Sequence, residues 1–420
     1  MKVLIKQAHI FDKNSPYNGL IKDILILDGI IDRISDNITE NADEIIEHDN
    51  LHVSIGWMDI FANFEDPGHE NRETIVSGVA AAAAGGFTDI MLIPNTNPVV
   101  STKAQVEYIK AKANSLPVNI YPIAAITKNA EGKELSEMYD MHNSEALAFS
   151  DGTNPVQSPG VLMKALQYAL AVDAVVIQLP DDKSISKNGL VNEGIVSTRL
   201  GLPGKPAIAE ELMIARDIEL LKYTGSKLHI TAVSTRKGID MISEAKKSGL
   251  RLTCSVTPYH CWFCDEDLAE YDSNLKVNPP LRTRSDMMAV RKAVADNTID
   301  CIASHHMPMH WDDKACEFEY AVNGMETLES VFAAMNNFTD NTGRLIEQMT
   351  IAPRQIFGLP VPEIKEGETA CITLFDPKPA FIFEENMIRS KAKNNAFIGK
   401  QLKGKVIGII NKSKMLLNAK

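Results

Sequence analysis

Apolar residues along the chain fall into two textures. Near the start, VLIKQAHIFD and DILILDGIIDRI are short β-rich runs, and Asp28-Gly29 inside the second is a hairpin signal. TACITLFDP, AFIFEEN and GKVIGIIN repeat that texture at the far end. Between them, strand-like runs (TDIMLIP, VNIYPIAAI, LAFSD, AVVIQLP, KLHITAV, RLTCSV, DCIAS) alternate with helical ones. The helical segments include TIVSGVAAAAAGG, SPGVLMKALQYALA, AIAEELMIARDIELLKYTG, KGIDMISEAKKSG and MMAVRKAVAD. Repeated about eight times, this alternation predicts an α/β fold, a (β/α)8 TIM-type barrel. The barrel is expected over residues 55–361. Residues 1–54 and 362–420 are expected to meet as a small composite β-sandwich domain. The run Ala80–Ala84 reads as a helix packed closely on the barrel and ended by Gly85-Gly86.

Composition narrows the class without naming a chemistry. The 420 residues are 45% hydrophobic and 23% charged, ordinary for a globular protein with a large core. A net charge of −12 argues against a nucleic-acid or acidic-membrane surface. Six cysteines (Cys254, Cys261, Cys264, Cys301, Cys316 and Cys371) are too sparse for a disulfide framework. The start, MKVLIKQAHIF, lacks a signal-peptide core, and no run reaches the ~18 apolar residues of a membrane span. A cytoplasmic protein is expected.

Several polar clusters could carry chemistry, and each has a plain structural reading beside it. His260, Cys261 and Cys264 form an HC-x-x-C group, while His305, His306, His310 and Cys316 crowd a later loop. A structural zinc site wants two paired ligand sets, and only one C-x-x-C is present. Trp262 and Phe263 between the cysteines favour packing of an apolar loop. No Cys-His nucleophile motif with a base and oxyanion hole is visible. Asn95 in PNTNP, Asn278 in NPP and Asp151-Gly152 serve equally as pocket residues or as turn formers. His306 and Pro308 read as shaping the loop they stand in.

Longer motifs point to a family. AAAAGGFTDIMLIPNTNP, VTPYH with KVNPPLR, GMETL at Gly324–Leu328 and SKAKNNAFIGKQLKGKV occur in an order and spacing that chance does not produce. On these motifs the chain resembles the dihydroorotases of the amidohydrolase superfamily, from Val3 to about Val406. The resemblance implies a barrel with one or two zinc ions at the C-terminal strand ends. There a metal-bound hydroxide attacks a cyclic amide, or the reverse closure of carbamoyl aspartate in pyrimidine synthesis is catalysed.

The same resemblance lets each demand of that chemistry be checked by position. The family's first strand carries His-x-His and then an arginine that clamps a substrate carboxylate; this chain has Phe61, Asn63 and Glu65. Phenylalanine cannot donate to a metal, a neutral amide is a poor zinc ligand, and Glu65 reverses the charge of the clamp. After AVVIQLP the family places a histidine where this chain has Gln178 or Leu179. The family's His-Val-Ser-Thr is here Ala232-Val233-Ser234-Thr235, and its Asp-His-Ala-Pro-His is His305-His306-Met307-Pro308-Met309. The general-base aspartate is therefore replaced by His305. Asp151, the counterpart of a metal-touching aspartate, remains, as do Asn95 and Asn278, whose counterparts contact substrate.

The expectation is a non-catalytic family member with no metal, kept as a structural or regulatory partner. Inactive homologues in this family can hold aspartate transcarbamoylase in a larger complex, so that enzyme is the expected partner, with homo-oligomer formation beside it. Two alternatives stand. One is an active dihydroorotase or other cyclic amidohydrolase with zinc at a site rebuilt from His305, His306 or Asp151. The other is a small-ligand sensor using the vestigial pocket.

Overall fold

The computed structural model describes residues 1–339 and 341–418. Eight parallel strands form the barrel in chain order. They are Trp57–Ala62, Phe87–Leu92, Asn119–Ala124, Ala148–Phe149, Val175–Gln178, Leu228–Ile230, Leu252–Val256 and Cys301–Ile302. Closure between the first and eighth strands depends on a few polar contacts. Asp59 accepts from Ser304 N at 2.5 Å and Ser304 Oγ at 2.8 Å, and Asn63 N donates to His306 O at 2.9 Å. A short final strand leaves little backbone ladder there, so a buried carboxylate takes over the pairing.

Each expected helix forms, and the local chemistry explains its ends. Ile75–Ala84 is capped by Thr74, whose side chain accepts from Ser77 N, and Ala81, Ala82 and Ala83 lie buried against the barrel. Pro159–Ala171 starts with Ser158 as cap and proline in the first turn, a place where no backbone N–H is needed. Ile208–Thr224 ends on Gly225 in the left-handed conformation. Arg236–Lys247 and Arg284–Ala295 complete the outer layer, capped by Thr235 and Thr283.

Strand alternation sorts the core into two layers. Val176, Ile230, Cys254 and Val256 join a cluster packed under the helices. Met58, Ile60, Phe61, Met91, Ile93, Ile123 and Ile177 form a separate cluster inside the barrel. Both chain ends meet in one mixed eight-stranded sheet, with Ser54 paired to Thr373 and Val53 to Leu374. The domain expected from the chain ends is thus built on this mixed sheet, with its own apolar face of Val3, Ile5, Ile24, Val53 and Ile372. The segment around Phe383, Phe397 and Leu402 packs on the barrel, against Tyr259 and Phe263. Among the described residues no helix is long and apolar enough to cross a membrane.

Candidate functional site

The C-terminal strand ends open into a cavity of about 350 Å³. Asn63, Glu65, Asn95, Leu179, Asn278 and His305 all line it. Residues spread over more than two hundred positions of sequence therefore share one pocket, as barrel loops do.

Phe61 lies beneath that pocket and is fully buried. Its ring stacks on His305, with centroids 4.2 Å apart and planes 19° from parallel. Burial holds the His305 imidazole well below its ordinary pKa, so it is neutral. Its Nε2 sits 2.7 Å from Thr231 Oγ1, the first link of a buried hydrogen-bonded chain. From Thr231 the chain passes to Ser255 at 2.9 Å, to His229 at 3.0 Å and on to Thr253 at 2.9 Å. His229 is thus a satisfied core residue, and burial lowers its pKa to about 3.

Asn63 and Glu65 hold each other reciprocally. Asn63 Nδ2 donates to Glu65 Oε1 and Glu65 N donates to Asn63 Oδ1, both at 2.9 Å. Glu65 is only 3% exposed, and burial raises its carboxyl to about 7 although the Arg72 guanidinium pulls the other way. Arg72 Nη1 lies 3.8 Å from Glu65, while its Nε donates to Asp313 at 3.0 Å. Arg72 also lines the pocket, a cation that sequence reasoning missed because no motif marks it.

The fifth strand settles which of two residues faces the pocket. Leu179 lines it, whereas Gln178 follows Val176 to the helix side and interacts with Asp217. Of the two residues that the sequence leaves open, Gln178 is turned away from the pocket and Leu179 faces it. The placement follows from period-two alternation, since Val175 and Ile177 already point into the barrel.

Asp151 and the two asparagines are tied to the frame. Asp151 accepts from Thr127 N at 2.9 Å and Thr127 Oγ1 at 2.5 Å, and burial raises its carboxyl to about 6. Asn95 Nδ2 donates to Asp151 O at 3.2 Å, and Thr153 N donates to Asn95 Oδ1 at 3.0 Å. Asn278 Oδ1 accepts from the Lys205 ammonium, which also donates to Asp181 at 2.7 Å. Ala232 is fully buried and does not line the cavity.

Three of these positions share an unusual backbone. Glu65, Ala232 and His305 have φ of +57°, +54° and +47°, the left-handed region that costs a non-glycine residue roughly 1–2 kcal/mol. All three are positions where the family resemblance expects a substrate-clamping, ligating or general-base side chain.

His306 belongs to a different network. Its Nε2 lies 3.6 Å from Glu73 and its Nδ1 3.6 Å from Glu326, all fully buried. Burial alone would lower its pKa, but the bonds and charges of Glu326 and Glu73 outweigh this and raise it to about 10. Ser390 Oγ donates to Glu73, and Asn395 Nδ2 donates to Glu326 at 2.9 Å. The SKAKNN and GMETL motifs thus meet the eighth strand in one ionic knot.

The zinc that the resemblance implies does not fit these side chains. Phe61, Leu179 and Ala232 offer no donor atom, and His305 is stacked and hydrogen-bonded within the barrel. Among the described residues no three His, Cys, Asp or Glu side chains converge to hold a metal ion. In the HC-x-x-C group, His260 bonds Thr257 Oγ1 at 2.9 Å and Pro279 O at 3.1 Å, and burial raises the Cys261 thiol to about 12.

A barrel with its pocket at the C-terminal strand ends, completed by a sheet from both chain termini, is the architecture of the amidohydrolases. The L-hydantoinase (dihydropyrimidinase) of Arthrobacter aurescens has the same fold, with TM-score 0.85 and 22% identity over 99% of this chain and 96% of that one. Residues 52–238 match the dihydro-orotase-like family model. The dihydroorotase of Pelotomaculum thermopropionicum is 41% identical over 411 residues, 96% of each chain. That of Syntrophus aciditrophicus is 38% identical over 414 residues, 97% of each. The chain belongs to the dihydroorotase family.

Proposed function

We propose that this chain is a non-catalytic dihydroorotase homologue that keeps the family's frame as a structural or regulatory partner of aspartate transcarbamoylase. The observation that carries the reading is the Phe61–His305 stack. An aromatic ring and a neutral imidazole replace a metal ligand and the general base, and they are packed together. Without a cation, no bound water would be acidified at neutral pH. Retention of nearly the whole frame argues for a remaining use, and association is the simplest one.

Elemental analysis of protein purified without chelators tests the first half. One or more zinc per chain, removable with loss of dihydroorotase turnover, would sink the reading. For the partner, the chain is mixed with aspartate transcarbamoylase from the same cell and run on size exclusion with light scattering. A joint species is expected; separate species reject the assignment.

A second reading draws on Glu65. A pocket carboxyl at about 7 is poised as a general base, and the relatives carry the name dihydroorotase. Under it the chain is a cyclic-amide hydrolase with a rebuilt site, and the turnover assay decides between the two.

A further inference from the structure

Charge is unevenly placed along the chain. Residues 377–420 hold ten lysines and arginines and only two acids, Glu384 and Glu385, although the whole chain has a net charge of −12. Lys391 and Lys393 are bound into the fold, where their ammonium groups donate to Glu70 O at 2.6 Å and Ile388 O at 2.7 Å. Lys378, Arg389, Lys403 and Lys405 are exposed, and among the described residues none of their charged groups reaches a carboxylate.

These four cations gather beside one opening. A cavity of about 390 Å³ lies between the helix Val331–Asn336, the end of the strand Cys371–Ile382 and the strand Gln401–Asn411. It shares no lining residue with the pocket at the strand ends. Phe381, Phe383, Met387, Ala333 and Val406 give it apolar walls, and Arg389 and Lys405 line it as well. The Lys405 ammonium stands 5.2 Å from the centre of the Phe381 ring. Lys403 follows on the same side of its strand. Asn336 Nδ2 donates to both Pro377 O at 2.9 Å and Lys403 O at 3.0 Å, which brings Lys378 alongside. The one carboxyl in the wall does not neutralise the rim. Glu329 accepts from Arg389 N at 2.7 Å and Ser390 N at 3.0 Å. Burial and the neighbouring Glu326 charge push its pKa well up, so it stays protonated.

A basic strand face alone reads as a solvated surface. A basic rim around an apolar cavity fits a ligand with both properties. Nucleic acid presents a continuous line of phosphates, which four cations in a chain of net charge −12 would hold weakly. An acidic polypeptide supplies carboxylates for the rim and an apolar side chain for the cavity. We propose that this face is a docking site for an acidic segment of a partner protein, which seats an aromatic or aliphatic side chain among Phe381, Phe383 and Met387 and sets carboxylates against Arg389, Lys403 and Lys405. The site is separate from the strand-end pocket, so it stands whether or not turnover survives and whichever protein supplies the segment.

Fluorescence anisotropy with the full chain tests it, using as probe a fluorescein-labelled peptide of glutamates around a central Phe-Leu pair. Binding is expected with Kd of about 100 μM or tighter at low salt. Replacing the Phe-Leu pair by Ala-Ala should weaken it at least about tenfold, because the cavity is then left unfilled. Arg389→Glu combined with Lys405→Glu should also weaken it at least about tenfold, since like charges then face each other. Both side chains are exposed, so the fold should be kept, which circular dichroism checks. Should the double variant fail to fold, Arg389→Glu alone and the Ala-Ala peptide decide. No anisotropy change up to about 1 mM protein would overturn the site. So would unchanged affinity in the charge-reversed variant or for the Ala-Ala peptide, or a single-stranded thymidine oligonucleotide binding as tightly as the Phe-Leu peptide.

Discussion

Phe61 and His305 lie face to face in the barrel, ring centroids 4.2 Å apart, at positions where the family resemblance expects a metal ligand and a general base. The pair has become part of the apolar interior, for Phe61 clusters with Met91, Ile93, Ile123 and Met307.

Truncating that ring should therefore cost what a core phenylalanine costs. Phe61→Ala is expected to lower stability by about 3–5 kcal/mol in urea unfolding. A loss below about 1 kcal/mol would mean that the ring is not packed as described.

Glu65 makes stability depend on pH. Its folded pKa of about 7 lies above its ordinary value of 4.5, so between those values the folded chain binds a proton that the unfolded chain has released. Its contribution is neutral below the unfolded pKa and becomes increasingly destabilising as pH rises to about 7. Glu65→Gln removes this term. The variant should gain on the parent by up to about 3 kcal/mol between pH 4.5 and 7, then hold level. A difference independent of pH would refute the assignment.

The left-handed backbone at Ala232 gives an inverted glycine effect. Ala232→Gly relieves roughly 1–2 kcal/mol of strain against about 0.5–1 kcal/mol of added unfolded-state entropy, so a small net gain is expected. The same change at Ala82, inside a helix and fully buried, should cost at least about 1 kcal/mol. Thermal unfolding of both variants checks the sign.

Arg354 and Asp89 form a buried ion pair between the helix Ile351–Ile356 and the second strand. Removing one partner strands a buried charge. Arg354→Met should cost about 3–5 kcal/mol, and Arg354→Met with Asp89→Asn less than that. Additive losses in the double-mutant cycle would deny the coupling.

Rebuilding the metal site requires the residue that the pocket exposes. A variant with Phe61→His, Asn63→His, Ala232→His and His305→Asp should take up more zinc once Leu179→His is added. Adding Gln178→His instead should change nothing, because that side chain faces Asp217. Equal zinc by elemental analysis in both would contradict the assignment of the pocket face.

Much of the site was legible because its evidence is local. Phe61, Asn63, Glu65 and His305 stand where the family resemblance expects other donor chemistry, and a phenylalanine lacks a lone pair in any fold. The choice between Gln178 and Leu179 was not legible, since both sit at a strand end where one residue of register swaps the faces. Arg72 and Lys205 escaped notice for another reason. A charged residue in a loop reads as solvated until its neighbours in space are known.

The sequence alone determined the barrel, its helices and the family. Periodicity, capping and side-chain donor atoms are properties of short segments or single residues, and they survive without coordinates. Only the tertiary structure decided that Phe61 stacks on His305 and that a hydroxyl–imidazole chain runs from His305 to Thr253. It alone joined His306 to Glu73 and Glu326, and Lys205 to Asp181 and Asn278. Those relationships link residues tens to hundreds of positions apart, and burial sets their charge states, a quantity that exists only once the chain has closed around them.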